Sequence, residues 1–489
     1  MSRDVNTANK RRYDSVTDYD RKLLQTEIVH IGFGAFHRGH QAVYNDLTNQ
    51  VSGRPWGICE INLFGSEQLV EDLLAQDCLF SVYENSAHGS CSRLVRTVTE
   101  AIHTPLHGID KAIEKLAEPQ VKLISLTITE KGYCVDPNSG ELDLNNALVR
   151  HDLATPQQPQ SAIGLIVEAL RLRKQRGLAP VSVMSCDNIP ENGHLTKNAL
   201  IGFAKTVDGE LARWIEDNVS FPSTMVDRIV PAMTEDAFAA LEQHTGYADP
   251  CGVVCEEFRQ WVIEDNFVAG RPDWNLAGAM FVTDVLPYEE MKLRMLNGSH
   301  SFLAYNGSLA GFEYIYQCME NNDFRQATFK LMLEEQAKSL SPNLDVDLAA
   351  YAKVLIERFS NPNIKHKTAQ IAMDGSQKLT QRAIDPLQQL LAKGLSPKCL
   401  PVSIAGWMHF VIASFAKGQA VEDPMAEQFR QVLADVETPE LKVRAMLSLS
   451  PIFGELPHTH PQFADAVVSA FLQIQQLGIQ AVIRQLLAE

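Results

Sequence analysis

The chain has 489 residues, 45% of them hydrophobic and 21% charged, and a formal net charge of -17. That length provides for two or three domains, because a single core stops growing near about 250–300 residues. The composition is that of a globular protein, the acidic balance disfavours nucleic acid as a general partner, and no apolar run is read as approaching the roughly 18 residues of a membrane span.

In chain order, Met1 to Asp20 is polar, carries Lys10, Arg11 and Arg12, and has no apolar segment after them, so no signal peptide is expected. Ile28 to Ile31 reads as a strand, Gly32-Phe33-Gly34 breaks it, His37 to Leu47 has helical spacing, and Trp56 to Leu63 returns to strand character. Further strands are expected at Val121 to Thr129 and Val181 to Cys186, with a helix from Ser161 to Arg176 between them. This alternation predicts an α/β fold with a mainly parallel, doubly wound sheet as the N-terminal domain, residues 1–284. Beyond Pro287 the expected elements are helices, at Met291 to Asn306, Phe324 to Lys338, Leu348 to Phe359, Asp385 to Lys393 and Phe463 to Leu487. Turns are expected at Ser339 to Asn343 and Ser360 to Asn363, which makes residues 285–489 a mainly α-helical C-terminal domain. The nine cysteines are scattered without a CxxC pair, which predicts reduced thiols and a cytoplasmic location.

Gly32-Phe33-Gly34-Ala35-Phe36-His37 keeps two glycines of the dinucleotide fingerprint, with His37 in the third place. Its position between a strand and a helix suits a pyrophosphate. Glu60, Asn62 and Glu67 are candidates for the adenosine ribose, although they lie further on than the roughly 20 residues usual for that role. His37-Arg38-Gly39-His40 lacks the glutamate of a zinc helix, so loop packing and phosphate contact are expected and no metal site is read. Thr129-Glu130-Lys131-Gly132-Tyr133 and Asp187-Asn188 stand at the carboxyl ends of expected strands, where open α/β sheets bind ligands; loop capping is the simpler alternative.

Lys292-Leu293-Arg294-Met295-Leu296-Asn297-Gly298-Ser299-His300 places a base, an amide and an imidazole together. In an α-helix at about 100° per residue, Lys292, Asn297 and His300 fall within roughly 140°. A buried lysine can take or give the hydroxyl proton in a hydride transfer, and an asparagine amide can hold the alkoxide. Val226-Asp227-Arg228 and Asp374-Gly375-Ser376-Gln377-Lys378 complete the polar set, and spacing alone would select neither.

These segments resemble the polyol-specific long-chain dehydrogenases, the family of mannitol 2-dehydrogenase and fructuronate reductase. The resemblance rests on IVHIGFGAFHRGHQ (Ile28 to Gln41), SLTITEKGY (Ser125 to Tyr133), MSCDN (Met184 to Asn188), MVDRIVP (Met225 to Pro231), KLRMLNGSH (Lys292 to His300) and MDGSQK (Met373 to Lys378). ICEINL, ELDLNN, EEFRQWVIEDNF and IAMDGSQK are most similar to the fructuronate reductase (D-mannonate oxidoreductase) branch. The resemblance implies an expanded Rossmann domain, NAD as cofactor, no zinc, and reversible reduction of D-fructuronate to D-mannonate. The alternatives are a mannitol- or arabinitol-type polyol dehydrogenase and a non-catalytic NADH sensor.

By position the resemblance makes Lys292 the general acid/base and Asn188 and Asn297 the oxyanion-holding amides, with Asp227, His300 and Lys378 orienting substrate. Glu130 and Glu289 correspond to a proton path to solvent. Ile31, Gly32, Phe33, Gly34, Ala35, Phe36, His37, Arg38, Asn62 and Thr129 correspond to the cofactor segment. Gln370 stands where mannitol dehydrogenases place a substrate-binding arginine, and Lys131 and Arg294 are candidates to hold a uronate carboxylate. The expected partner is a small sugar acid or polyol, with no nucleic acid or membrane, and the chain is expected as a monomer or small homo-oligomer.

Overall fold

The computed structural model describes residues 13–136, 139–342 and 344–488. Met1 to Arg12 of the polar start and Asn343 of the expected turn lie outside the described residues. Two compact units divide the chain between Leu286 and Pro287.

In the N-terminal unit, β1 (Gln25–Ile31), β2 (Trp56–Asn62), β3 (Val98–His103), β4 (Leu123–Leu126) and β5 (Ser182–Ser185) form one sheet in the order β3-β2-β1-β4-β5. Every pairing in it is parallel. Burial on both faces accounts for the near-continuous apolar runs, and β2 is buried along its whole length. The order reverses between β1 and β4, the switch point at which such sheets bind ligands. Beyond β5 the sheet continues, among the described residues, as one parallel bridge, Ser182 to Ser220.

Two further sheets expand this unit. One holds Ser15–Val16, Gly89–Val95, Phe80–Ser86 and Val253–Glu256 in that order, and the other Met280–Val282, Gln260–Glu264 and Thr224–Asp227. Their strands carry buried polar groups such as Glu84 and Arg93, which is why their pattern was not legible as core sheet. The helix expected from His37 to Leu47 is two helices, Ala35–Gly39 and Gln41–Val51, with a break at His40 (φ -125°, ψ -91°). There the His40 ring donates to the Gln260 carbonyl at 2.9 Å.

The C-terminal unit is helical around its own core. Leu348–Phe359 and Asp385–Ala392 are single helices, whereas the stretch Phe463 to Leu487 breaks at Gly478 (φ 79°) into Pro461–Leu477 and Ile479–Ala488. The expected helices Met291 to Asn306 and Phe324 to Lys338 each contain a π turn, Lys292–Asn297 and Leu331–Gln336, and a third occupies Thr380–Ile384. Cys399–Ala416 corrects the reading that no apolar run nears 18 residues: it is an 18-residue helix of mean hydropathy 1.6, with 67% of it buried. A helix apolar all round is a core helix here, and for that reason it shows no amphipathic period.

Candidate functional site

In the N-terminal unit the loop after β1 is built from backbone. Gly32 has φ +108°, and a Cβ there would lie 2.1 Å from the Thr127 carbonyl oxygen, so no other residue fits. Gly34 is exposed, and its nearest obstacle is 3.9 Å away, so nothing in the protein forbids a side chain. An open glycine at this position is what close approach of a diphosphate to backbone requires. Asn62, at the end of β2, accepts from the Phe33 amide at 2.8 Å and fixes the loop.

The side chains flanking that loop point elsewhere. Ile31 and Phe33 are buried, while Ala35 and Phe36 are partly exposed. The expectation that His37 and Arg38 contact phosphate is corrected for their side chains. The His37 ring is fully buried, stacked on His30 at 3.5 Å and bonded to Glu60 at 2.8 Å. The Arg38 guanidinium donates to the carbonyls of Gly34 and Cys251. Glu60 is likewise 0% exposed, so it cannot reach a ribose hydroxyl. Burial holds His37 down near 3 and pushes Glu60 up to about 7, so both are favoured uncharged.

His30, His37 and Glu60 form the one group of three potential metal ligands found among the described residues, a cluster that sequence spacing did not show. Both His30 nitrogens are already engaged, with Ser125 at 2.8 Å and with Thr127 and the Gly32 carbonyl at 2.9 and 3.2 Å. The His37 Nδ1 and Glu60 Oε2 atoms have no partner, which leaves two donors rather than three.

At the carboxyl end of the sheet Asp187 ties two loops together. Its carboxylate accepts from the amides of Ile128 and Thr129 at 2.9 and 3.0 Å and from the Tyr133 hydroxyl at 2.7 Å. Burial raises its pKa against these bonds. Thr129 is held at φ +61°, a left-handed conformation costly for a β-branched residue, and Glu130 and Lys131 follow it on an exposed turn. Asn192 donates to the Asp187 and Thr224 carbonyls at 3.0 and 2.9 Å, so Asn188, exposed after Asp187, and Asp227, buried at the end of Thr224–Asp227, stand on jointly held segments. The sequence marked Asp187 only as part of a motif, and its bracing task required the fold. Arg228 is a structural rivet, paired with Glu84 at 2.6 Å.

In the C-terminal unit the motif Lys292 to His300 runs through the π turn into the helix Gly298–Leu309. The α-helical arc is therefore corrected: an i→i+5 turn brings residues five apart nearer to alignment, so Lys292 and Asn297 lie closer than 100° steps imply. Lys292 is buried at 8% exposure, Glu289 is buried too, and Asn297 is partly exposed. A Cβ on Gly298 would sit 2.7 Å from Gln336 Nε2 and 2.8 Å from the Arg382 carbonyl oxygen, so the three π turns meet where only glycine fits.

His300 packs on Phe359 at 4.4 Å and edge-on to His366 at 5.7 Å. Burial, then His366, Arg382 and Arg358, hold its pKa well below the usual histidine value. Lys378 donates to the carbonyls of Ile371 and Met373 at 3.3 and 2.6 Å, and its pKa is lowered by burial and then by Arg382. The turn before it needs its Gly375, because a Cβ would meet Trp407 Nε1 at 2.4 Å. Gln370 is exposed on Thr368–Ile371. The expectation that Arg294 holds a substrate carboxylate is corrected: it is buried, donating to the Ser339 carbonyl at 2.6 Å and pairing with Glu290 at 3.4 Å.

Known proteins are similar to this chain along nearly its full length. An Escherichia coli K12 protein described as uncharacterized oxidoreductase YeiQ is 51% identical over 94% of this chain and 94% of its own length. The E. coli K12 D-mannonate oxidoreductase is 49% identical over 94% of this chain and 95% of its own. The solved Pseudomonas fluorescens mannitol 2-dehydrogenase, a ternary complex with NAD and D-mannitol, matches with a TM-score of 0.78 and 34% identity over 97% of this chain and 96% of that one. Residues 26–276 match the mannitol dehydrogenase Rossmann domain and residues 284–475 the mannitol dehydrogenase C-terminal domain. The glycine loop on the first domain and the lysine-bearing π turn on the second are thus parts of an oxidoreductase acting on CH–OH groups, and the chain belongs to the mannitol dehydrogenase family.

Proposed function

We propose that the chain catalyses the NAD(H)-dependent interconversion of D-fructuronate and D-mannonate. When bound, NAD(H) supplies or accepts the hydride. The backbone from Gly32 to Phe36, braced by Asn62, would hold its diphosphate; Gly34, open and exposed, fits that task. In reduction, protonated Lys292 gives its proton to the ketone oxygen, and the amides of Asn188 and Asn297 stabilise the negative charge developing there. In oxidation neutral Lys292 takes the hydroxyl proton. Lys292 is buried, which suits it to a proton exchange carried out away from bulk water. Asp227, His300 and Lys378 orient the polyhydroxy chain, and Glu130 and Glu289 connect the proton to solvent.

The observation that carries the substrate assignment is Gln370. A neutral, exposed amide stands at the position of the polyol enzymes' arginine, so the forked cation that serves a hexitol is missing there. The 49% identity to a D-mannonate oxidoreductase supports the same branch. A mannitol-type 2-dehydrogenase keeps the chemistry and changes only the substrate. NADH oxidation measured against D-fructuronate, D-tagaturonate and D-fructose separates the two. The reading requires the highest kcat/KM with D-fructuronate, and a preference for D-fructose overturns it. A protein that binds NADH without turning over any of these ketones is the sensor instead. Nine free cysteines, eight of them buried, suit the reducing cytoplasm proposed for it.

A further inference from the structure

Arg382 lies in the π turn Thr380–Ile384, which packs against the π turn ending at Asn297. Its Nη1 donates to the Asn297 carbonyl at 3.4 Å and to the Ser301 hydroxyl at 3.2 Å. A guanidinium has five N–H donors in a planar fork, and these two contacts use one nitrogen. No carboxylate forms an ion pair with it among the described residues, and the neighbour that favours its charge is the Tyr305 hydroxyl.

Three other buried arginines are closed off. Arg228 pairs with Glu84 at 2.6 Å, Arg294 pairs with Glu290 at 3.4 Å, and Arg173 spends its whole fork on the carbonyls of Leu116, Glu118, Val121 and Ala179. Arg382 is neither closed off nor fully solvated: it is partly exposed. Around it the field is positive. His300 is pushed toward its neutral form by burial and then by His366, Arg382 and Arg358, and Lys378 by burial and then by Arg382. The carboxylates that reach this region electrostatically, Asp374 and Asp423, act on Lys378 and Tyr305. Asp423 is committed to the Ser376 amide and hydroxyl and to the Met425 amide. A desolvated guanidinium retained without a counter-charge, beside the turn that carries Asn297 and His300, is a site for an anion.

We propose that Arg382 is the specificity residue that binds the carboxylate of the sugar-acid substrate. The assignment rests on the uronate reading above and answers what replaces the cation missing at Gln370 and committed at Arg294. The unused edge of the fork pairs with the two carboxylate oxygens, while Nη1 keeps its hold on Asn297 and Ser301. Substrate charge and the placing of the Asn297 amide are thereby linked through one side chain.

The test is steady-state kinetics of the full-length protein and its Arg382→Leu and Arg382→Lys variants with NADH, against D-fructuronate and D-fructose, with D-mannonate and D-mannitol as inhibitors. NADH binding followed by fluorescence reports that each variant is folded. In Arg382→Leu, KM for D-fructuronate and Ki for D-mannonate should rise about 30-fold or more, the scale for removing one partner of a desolvated charge pair. The rise should exceed any change in kcat, D-mannitol inhibition should shift far less, and Arg382→Lys should recover part of the loss because it keeps the charge without the fork. Where the leucine variant does not fold, the lysine variant carries the same comparison, with a smaller loss confined to the acids. Equal losses for acids and neutral compounds overturn the assignment and leave Arg382 as a brace for Asn297; an unchanged acid preference overturns it also. A wild type that favours D-fructose brings down the uronate reading itself, a result distinct because it needs no variant.

Discussion

On the proposed mechanism Lys292 is the residue on which the chemistry turns, and its neighbourhood sets what its loss should do. Lys292→Ala removes the proton donor while the glycine loop that would hold the cofactor belongs to a different unit. NADH affinity should therefore change little, and kcat should fall by about 10²–10⁴-fold, the usual contribution of general acid–base catalysis. Retention of more than about half of the turnover would remove Lys292 from this role. The buried His30, His37 and Glu60 group calls for a second measurement, since it is the nearest approach to a metal site among the described residues. With both His30 nitrogens engaged by protein partners, chelator treatment should leave turnover unchanged. Stoichiometric zinc whose removal abolishes activity is the contrary result. At this scale side-chain direction was the part that the sequence did not carry. His37 and Glu60 lie in segments expected at the cofactor, but neither reaches the surface, and Arg294, expected at the substrate, has its fork turned to Ser339. Direction depends on packing partners far away in the chain, which spacing does not encode.

Among the elements, four of the five parallel strands were legible because burial on both faces demands continuous apolar runs, whereas β3, partly exposed at Thr99 and Glu100, was not read. The π turns were not, because an α-helical step assigns every residue about 100° and hides the extra residue that an i→i+5 turn accommodates. Their junction is one of the tightly packed points of the C-terminal unit. A Gly298→Ala substitution would force its Cβ to within 3 Å of both Gln336 Nε2 and the Arg382 carbonyl, so one of the facing turns must move. The expected cost is about 1–3 kcal/mol of stability, as for other overpacked sites. Because Asn297 is the preceding residue, kcat should fall as well. Thermal unfolding and kcat measured on the same preparation check this, and a variant with wild-type melting and turnover would show that the turns slide freely. Asp187 illustrates the other kind of illegibility: it ties the loops after β4 and β5, two segments that only the sheet brings together.

For the whole molecule the buried histidines set the response to acid. His30, His37 and His40 are depressed by burial, the last two to about 3, whereas in the unfolded chain each titrates near about 6.5. The unfolded state then binds more protons between those values, so stability falls as pH drops from about 6.5 toward 3. Glu60, raised to about 7, opposes them: its contribution makes the fold less stable as pH rises from about 4.5 to 7. Asp46, Asp187, Glu335 and Asp385, also raised by burial, act in the same sense as Glu60, while His300, His366 and His409 join the depressed histidines. With the histidines prevailing, the melting temperature should be lower at pH 5 than at pH 7.5. A flat or rising profile would mean that the histidines are solvated.

The helix Cys399–Ala416 carries a consequence for the way the protein dies on heating. Once the C-terminal core opens, it frees a segment as long and oily as a bilayer-spanning helix, which in water has no partner except its counterpart on another chain. Self-association of opened molecules should then outrun refolding, so inactivation becomes a matter of rate rather than equilibrium. The apparent melting temperature should rise with scan rate, and a second scan should recover little of the transition. Full recovery on rescanning at high protein concentration would show that this segment finds its place again before it finds a neighbour.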